Sequence, residues 1–206
     1  MRGPKVPEYM HKVAIYVPGK PVEEVERELG VTGIVKLASN ENPLGSSPKA
    51  LAAVEKALPS LNRYPDGGGY VLRRALAGRH AVDLDQVILG NGSVEIIEML
   101  ARAYVEDGDD VIISQQSFVS YEIATRQVNG NAILVPARPD HSHDLPAIAA
   151  AVTERTKLIY LANPSNPTGT YFTRGELDAF LAKVGDDVLV VLDQAYLEYV
   201  DRPDYP

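Results

Sequence analysis

Asp193 closes the apolar run "DVLVVLD", and Tyr196 follows three residues later. A carboxylate delivered by so apolar a segment needs a strong partner to offset its desolvation. Alone, it serves equally as a ligand-binding acid, a cap or half of a structural ion pair. "GNGSVE" (90–95) puts Gly90 and Gly92 where the backbone turns tightly and Ser93 at the start of a helical pattern. Free N–H groups and the positive end of a helix dipole suit such a turn to phosphate, although a Gly-rich connection with a Ser cap has the same composition. The segment is also an imperfect dinucleotide fingerprint. Glu95 fills the third glycine position, and the exit of the next strand, "SQQSF", has no acid to hold a ribose. In "ANPSNPTG" (162–169), two Asn-containing turns fixed by Pro make either a rigid loop whose amides face a ligand or a tight connection. Phe118 and Tyr121 offer either an aromatic face for a planar ligand or core packing at a helix start.

These residues stand at the ends of elements that hydrophobic periodicity defines. Short apolar strands are expected at 86–89, 110–114, 132–137, 157–162 and 187–193. Between them come a helix with Val94, Ile97, Leu100, Ala101, Tyr104 and Val105 on one face, a helix over about 119–128, a helix in "PAIAAAVTE", and one opened by a Thr173–Glu176 capping box. Earlier, Ser47 as N-cap before Pro48 starts a helix, and "GYVLRRALAGRH" reads as another. Strands that are apolar throughout and separated by helices imply an α/β fold, a mostly parallel sheet covered by helices on both faces. Ligands of such sheets sit beyond the carboxyl ends of the strands. Residues 1–44 differ: they are Pro-punctuated and irregular apart from "VEEVERELG", and read as an N-terminal arm ahead of a sheet domain at 45–206.

Composition narrows the partners. With 45% hydrophobic and 23% charged residues in 206, the chain has ordinary globular composition. A formal net charge of −8 argues against nucleic acid or an anionic membrane, which need a basic footprint. No apolar stretch approaches the roughly 18 residues of a membrane span, and the N-terminus lacks a signal-peptide core. Zero Cys excludes disulfides, thiolate metal sites and cysteine nucleophiles, and fits a cytoplasmic protein. No metal site is expected, and small molecules are the expected partners.

Taken in order and spacing, "SNENPLG" (39–45), "RYPDG" (63–67), "GNGS" (90–93), "NPSNPTG" (163–169) and "DQAY" (193–196) resemble the pyridoxal-phosphate aminotransferases of fold type I. "YVPGKPVEEVERELG" followed by "KLASNENPLG" resembles the histidinol-phosphate aminotransferase subfamily in particular. The resemblance implies the large domain of that fold, incomplete, with residues 1–44 belonging in part to the small domain. It implies that Asp193 pairs with the pyridine nitrogen, that Asn166 and Tyr196 hydrogen-bond the ring's phenolic oxygen, and that Phe118 stacks on the ring where the family often has Tyr. Gly92, Ser93 and Val94 would hold the phosphate, Val94 through its backbone because the family more often has a polar residue there. Tyr64 would reach the phosphate of the partner subunit in a homodimer, and Tyr16 and Asn42 would line the substrate side. The implied reaction moves an amino group from L-histidinol phosphate to 2-oxoglutarate in histidine biosynthesis. Other class I/II aminotransferases and threonine-phosphate decarboxylase share the framework.

One requirement of that chemistry is not met within the sequence. The family's Schiff-base lysine follows the Asp-x-x-Tyr strand, and none of the eight lysines present replaces it: Lys157 starts its strand, Lys183 falls on a covering helix and Lys36 in the arm. The chain therefore reads as the N-terminal part of an enzyme, inactive alone. In the implied fold two further strands would lie between 86–89 and 187–193, leaving 86–89 unpaired and the turn at 90–93 out of register with Asp193. The alternatives are a non-catalytic cofactor-binding or interaction module and a nucleotide-binding domain, the latter weakened by Glu95 and the acid-free strand exit.

Overall fold

The computed structural model describes residues 5–16 and 18–206; residues 1–4 of the N-terminal stretch and Val17 of the "YVPGKP" motif lie outside the described residues. Two compact units are present among the described residues, one formed by residues 5–16 with 90–206 and the other by 18–89.

The larger unit is built on four parallel strands, β1 (Asp110–Ser114), β2 (Asn131–Val135), β3 (Thr156–Ala162) and β4 (Leu189–Asp193), in the order β2-β1-β3-β4. β1 is buried along its whole length and β3 nearly so, because both have strands on either side and helices on both faces. β2 and β4, the outer strands of the four, are only partly covered. β2 ends one residue before Pro136, which has no N–H to continue a ladder.

Side chains alternate between two cores, as the period of a strand requires. On one face Val111, Ile113, Leu158, Tyr160 and Ala162 pack with Ile97 and Ala101 of helix Gly92–Tyr104, and with Tyr121 and Ala124 of helix Ser120–Gln127. On the other, Ile112, Ile159 and Leu161 pack with Leu145 and Ile148 of helix Leu145–Ala150, and with Leu177 and Phe180 of helix Arg174–Leu181. The Thr173–Glu176 capping box forms as expected. On the helix from Gly92, Ile97 and Ala101 are buried, but Val94 and Tyr104 at its ends are exposed.

The smaller unit contains helices Val22–Leu29, Pro48–Ala57 and Tyr70–His80. Numbered in chain order, the α-helices among the described residues are α1 to α3 here, then α4 (Gly92–Tyr104), α5 (Ser120–Gln127), α6 (Leu145–Ala150) and α7 (Arg174–Leu181). Ser47 occupies the N-cap of α2, yet its side chain makes no capping hydrogen bond. The strand expected at 86–89 is not formed among the described residues. Asp83 and Gln86 instead close a capping box over a 3-10 turn at Leu84–Gln86, and Arg73 binds the carbonyls of Leu84 and Val87 at 2.5 and 2.9 Å. Val87 is extended but has no ladder partner, and Ile88 is exposed.

The start of the sheet is tied by Asp110. Its carboxylate accepts from Arg155 Nη2 (2.9 Å), Asn131 Nδ2 (3.1 Å) and Thr153 Oγ1 (3.1 Å), joining β1, β2 and the turn before β3. Burial pushes its pKa up, but these hydrogen bonds and the Arg155 charge outweigh that and hold it below the ordinary 3.8. A depressed folded-state value stabilises the fold fully above pH 3.8, and the contribution disappears as pH falls through the folded value. In a version of the chain continued past Pro206, Asp110→Asn should lower the denaturation midpoint at pH 7, and urea titrations should show the gap to the parent closing in acid.

Candidate functional site

The register sets the level of the site. Ala162 of β3 lies opposite Asp193 of β4, and Ser114 of β1 opposite Val135 of β2, so neighbouring strands end together. Their exits form a row of loops along one edge of the sheet.

Asp193 ends β4 half-buried. Its Oδ2 accepts from the Tyr121 hydroxyl at 2.8 Å and its Oδ1 from the Ala195 N–H at 3.1 Å. Tyr121 is buried in the first turns of α5 and stacks parallel to Tyr160 of β3, ring centres 4.8 Å apart. Tyr160 in turn donates to the Ile97 carbonyl of α4 at 3.0 Å. Burial, and then the adjacent Asp193 charge, push the Tyr121 hydroxyl's pKa upward, so it remains a donor at any working pH. Neither role expected of Tyr121, ring face or core packing, includes this third one. A Tyr rather than Phe at a core position is the available signal, since a buried hydroxyl needs a partner. The same chain of contacts fastens α4 to β3 through Tyr160 and the buried Ile97 and Ala101.

At the start of α4, Gly92 is left-handed (φ 71°), a conformation that excludes most side chains. Glu95 folds back so that one carboxylate oxygen takes both the Asn91 N–H and its side-chain amide, which lowers the Glu95 pKa. The Gly92 N–H donates to the Gly90 carbonyl at 3.0 Å, and the N–H groups of Ser93 and Val94 lie in the first turn, where a helix leaves its donors without intrahelical partners.

The Asn163–Gly169 loop leaves β3 with both Asn–Pro bonds cis. Asn163 is buried and acts as its hinge pin: its N–H donates to the Asp193 carbonyl (2.9 Å), and its side chain pairs with both backbone groups of Phe172 (3.0 and 3.2 Å). Asn166, further along, donates from Nδ2 to the Tyr196 hydroxyl at 3.3 Å. Buried His143 has Nε2 2.8 Å from the Ala162 carbonyl, so that nitrogen carries the proton; burial lowers its pKa and keeps the ring neutral. Phe118 meets Tyr121 edge-on, ring centres 5.7 Å apart, and lines an open cleft with Gln115, Ser117 and Glu122. The hydroxyls of Ser117 and Ser165 are buried without a partner among the described residues.

The larger unit thus holds Gly92, Ser93, Val94, Phe118, Asn166, Asp193 and Tyr196, together with the exposed Tyr16. Asn42 and Tyr64 belong to the smaller unit. Asn42 Oδ1 accepts the Leu44 N–H at 3.0 Å within its own turn. Tyr64 is fully exposed in the loop whose Asp66 caps the start of α3, accepting from Gly68 and Tyr70. Among the described residues there is no cluster of groups able to hold a metal ion and no helix long and apolar enough to cross a membrane.

A parallel sheet covered by helices, with a carboxylate and an Asn–phenol pair at neighbouring strand exits, fits the fold type I transferases. The sequence profile of the class I and II aminotransferases matches residues 32–205, and the chain belongs to that family. It is 50% identical over 202 residues to a histidinol-phosphate aminotransferase of Anaeromyxobacter sp. strain Fw109-5, covering 98% of this chain and 56% of that protein. Histidinol-phosphate aminotransferase 2 of Pseudomonas fluorescens Pf-5 is 52% identical over 199 residues, or 96% of this chain and 54% of that protein. The crystal structure of histidinol-phosphate aminotransferase from Sinorhizobium meliloti, in complex with pyridoxal-5'-phosphate, superposes with a TM-score of 0.88 at 27% identity, over 100% of this chain and 55% of that one. The chain spans about half the length of the curated relatives it matches.

In a version continued past Pro206, Tyr121→Phe should preserve the stack on Tyr160 but strip a donor from Asp193, costing about 1.5–3 kcal/mol of stability as a lost hydrogen bond to a charged acceptor. Chemical denaturation at neutral pH checks this, and Tyr160→Phe gives the comparison with a neutral carbonyl acceptor.

Proposed function

We propose that this chain forms the cofactor-binding part of a pyridoxal-phosphate-dependent aminotransferase acting on L-histidinol phosphate and 2-oxoglutarate, in the cytoplasm and in histidine biosynthesis. The observation that carries the reading is the donor set at the β3 and β4 exits. Asp193 has each oxygen held by one donor and lone pairs to spare, with the Asn166–Tyr196 pair on the adjacent loops. The residues present fit pyridoxal phosphate: a carboxylate for a protonated ring nitrogen, an amide and a phenol for a phenolate oxygen, and a helix N-terminus for a phosphate. Relatives at 49–52% identity named histidinol-phosphate aminotransferase support the substrate.

When bound, the cofactor's protonated ring accepts electron density from a substrate carbon that is losing a proton. The chain's own residues supply the setting. Asp193 accepts the hydrogen bond of the ring N–H and holds its proton there, and Tyr121 and the Ala195 N–H keep the carboxylate from turning away. Asn166 and Tyr196 donate to the phenolic oxygen. Ser93, with its own backbone N–H and that of Val94, binds the phosphate at the turn that Gly92 makes, where the Gly92 N–H is taken by the Gly90 carbonyl, and Phe118 covers a ring face. Tyr64 reaches the phosphate of the partner's site in a homodimer, and Tyr16 and Asn42 line the substrate side. In this reading residues 1–44 contribute an arm and part of a small domain, and 45–206 the cofactor domain.

The chemistry also needs a lysine to hold the cofactor and move the proton. Lys157 lies at the amino end of β3, the opposite end from Asp193, and Lys183 lies just beyond α7. The lysine is therefore sought outside these 206 residues, and the tests use a polypeptide of the relatives' full length that carries them.

In such a polypeptide Asp193→Asn should still bind the cofactor but lose several orders of magnitude in transamination, because a neutral amide does not keep the ring nitrogen protonated. Near-parental turnover with L-histidinol phosphate would sink the role given to Asp193. Mixing inactive Asp193→Asn subunits with inactive Tyr64→Ala subunits should restore part of the activity, since one site in each heterodimer then has both groups intact. Proven heterodimers without recovery would place Tyr64 in its own subunit's site.

A further inference from the structure

Asn166 sits on a loop that is poor in means of holding itself. Pro164 and Pro167 contribute no N–H, and within the loop the backbone is tied by Ser165 N–H to the Thr170 carbonyl and Gly169 N–H to the Ser165 carbonyl, both 2.8 Å. The Asn163 carbonyl, followed by a proline, belongs to a buried residue and needs a donor from elsewhere.

That donor is Tyr205. Its hydroxyl bonds to the Asn163 carbonyl and lies 3.2 Å from Nε2 of Gln194, the residue after Asp193. A carbonyl only accepts, so the single phenolic proton goes to Asn163, and the oxygen accepts from the Gln194 amide. The neighbouring Asp204 fastens the same segment a second time, its carbonyl accepting from the Arg174 N–H at the start of α7 (2.8 Å) and its carboxylate from the Tyr171 hydroxyl (3.3 Å). Partial burial raises the Tyr205 pKa, against the opposing effect of Gln194, so the hydroxyl keeps its proton. One side chain thereby bridges the β3 exit, which leads to Asn166, and the β4 exit, which carries Asp193 and Tyr196.

We infer that Tyr205 is a positioning residue for the proposed site, fixing the Asn163–Gly169 loop so that the Asn166 amide meets the cofactor's phenolic oxygen in a set relation to Asp193. The inference rests on the function proposed above for what Asn166 meets, but not for how the loop is held.

The test compares the parent, Tyr205→Phe, Asn166→Ala and the double variant in a polypeptide of the relatives' full length. Hydrogen exchange on the cofactor-free protein reads the loop directly. Tyr205→Phe should speed exchange at the Ser165 and Gly169 amides about tenfold, as expected for the loss of a buried hydrogen bond, with β1 and β3 unchanged. Should that variant fail to fold, Gln194→Ala removes one of the two bonds and should shift the same amides in the same direction. Unchanged loop exchange overturns the inference whether or not cofactor binds.

Titration with pyridoxal phosphate adds the link to Asn166. Tyr205→Phe should weaken binding roughly five- to tenfold and move the pH dependence of the bound cofactor's visible absorbance in the same direction as Asn166→Ala. The double variant should be little worse than Asn166→Ala, because both act through one contact. Losses that multiply, or an unshifted spectrum in Tyr205→Phe, overturn the positioning role. A parent that binds no pyridoxal phosphate refutes the functional proposal, and the exchange rates then decide separately whether Tyr205 holds the loop.

Discussion

The hydrogen bond from Tyr121 to Asp193 couples α5 to β4, and the arrangement at the strand exits depends on it. A carboxylate at the end of an apolar strand can turn toward solvent and relieve its own desolvation. Tyr121 opposes that, because its ring is held against Tyr160 and its hydroxyl has the Asp193 oxygen at 2.8 Å. Through Tyr160 and the Ile97 carbonyl, α4 joins the same series. The acid and helix α4 are thus linked by one continuous set of buried contacts instead of by separate loops.

The sheet makes that series possible. With β1 and β3 covered on both faces, alternate residues face opposite cores, which puts Tyr160 on the same face as α4 and α5 and leaves Ile159 and Leu161 for α6 and α7. The Ala162–Asp193 pairing brings the β3 and β4 exits level, and the Asn163 N–H to the Asp193 carbonyl extends the ladder one step into the loop. His143 at the Ala162 carbonyl and Tyr205 at the Asn163 carbonyl satisfy the neighbouring acceptors from outside the ladder. Polar groups in this region are therefore paired largely by side chains whose only evident work is to hold the backbone.

The strands from 110 onward are legible in the sequence because each is a compact apolar run bounded by turn residues, and the Thr173–Glu176 box is a local code that needs no tertiary context. "QVIL" lacks a ladder partner, as expected for this stretch, but it is not a strand among the described residues, because a local capping box at Asp83 takes Gln86 into a turn. Asp193 and the Asn-Pro loop stand out in the sequence as strand-exit residues whose roles the family resemblance implies, but their supports are not legible. Tyr121 lies 72 residues from Asp193 and Tyr205 42 from Asn163, and no local pattern reports contacts over such separations. Glu95 looks like a defect in a glycine fingerprint, whereas its carboxylate caps the turn at Asn91.

The central claim is that the strand exits of this chain form one site for pyridoxal phosphate, with Asp193 at the ring nitrogen. A crystal structure of a full-length-sized polypeptide carrying these residues, grown with the cofactor, tests it most directly. The account predicts ring density with its nitrogen within hydrogen-bond distance of Asp193, its phenolic oxygen between Asn166 and Tyr196, and its phosphate on the Ser93 and Val94 amides. Cofactor density elsewhere, or a ring turned so that Asp193 faces carbon, would contradict it.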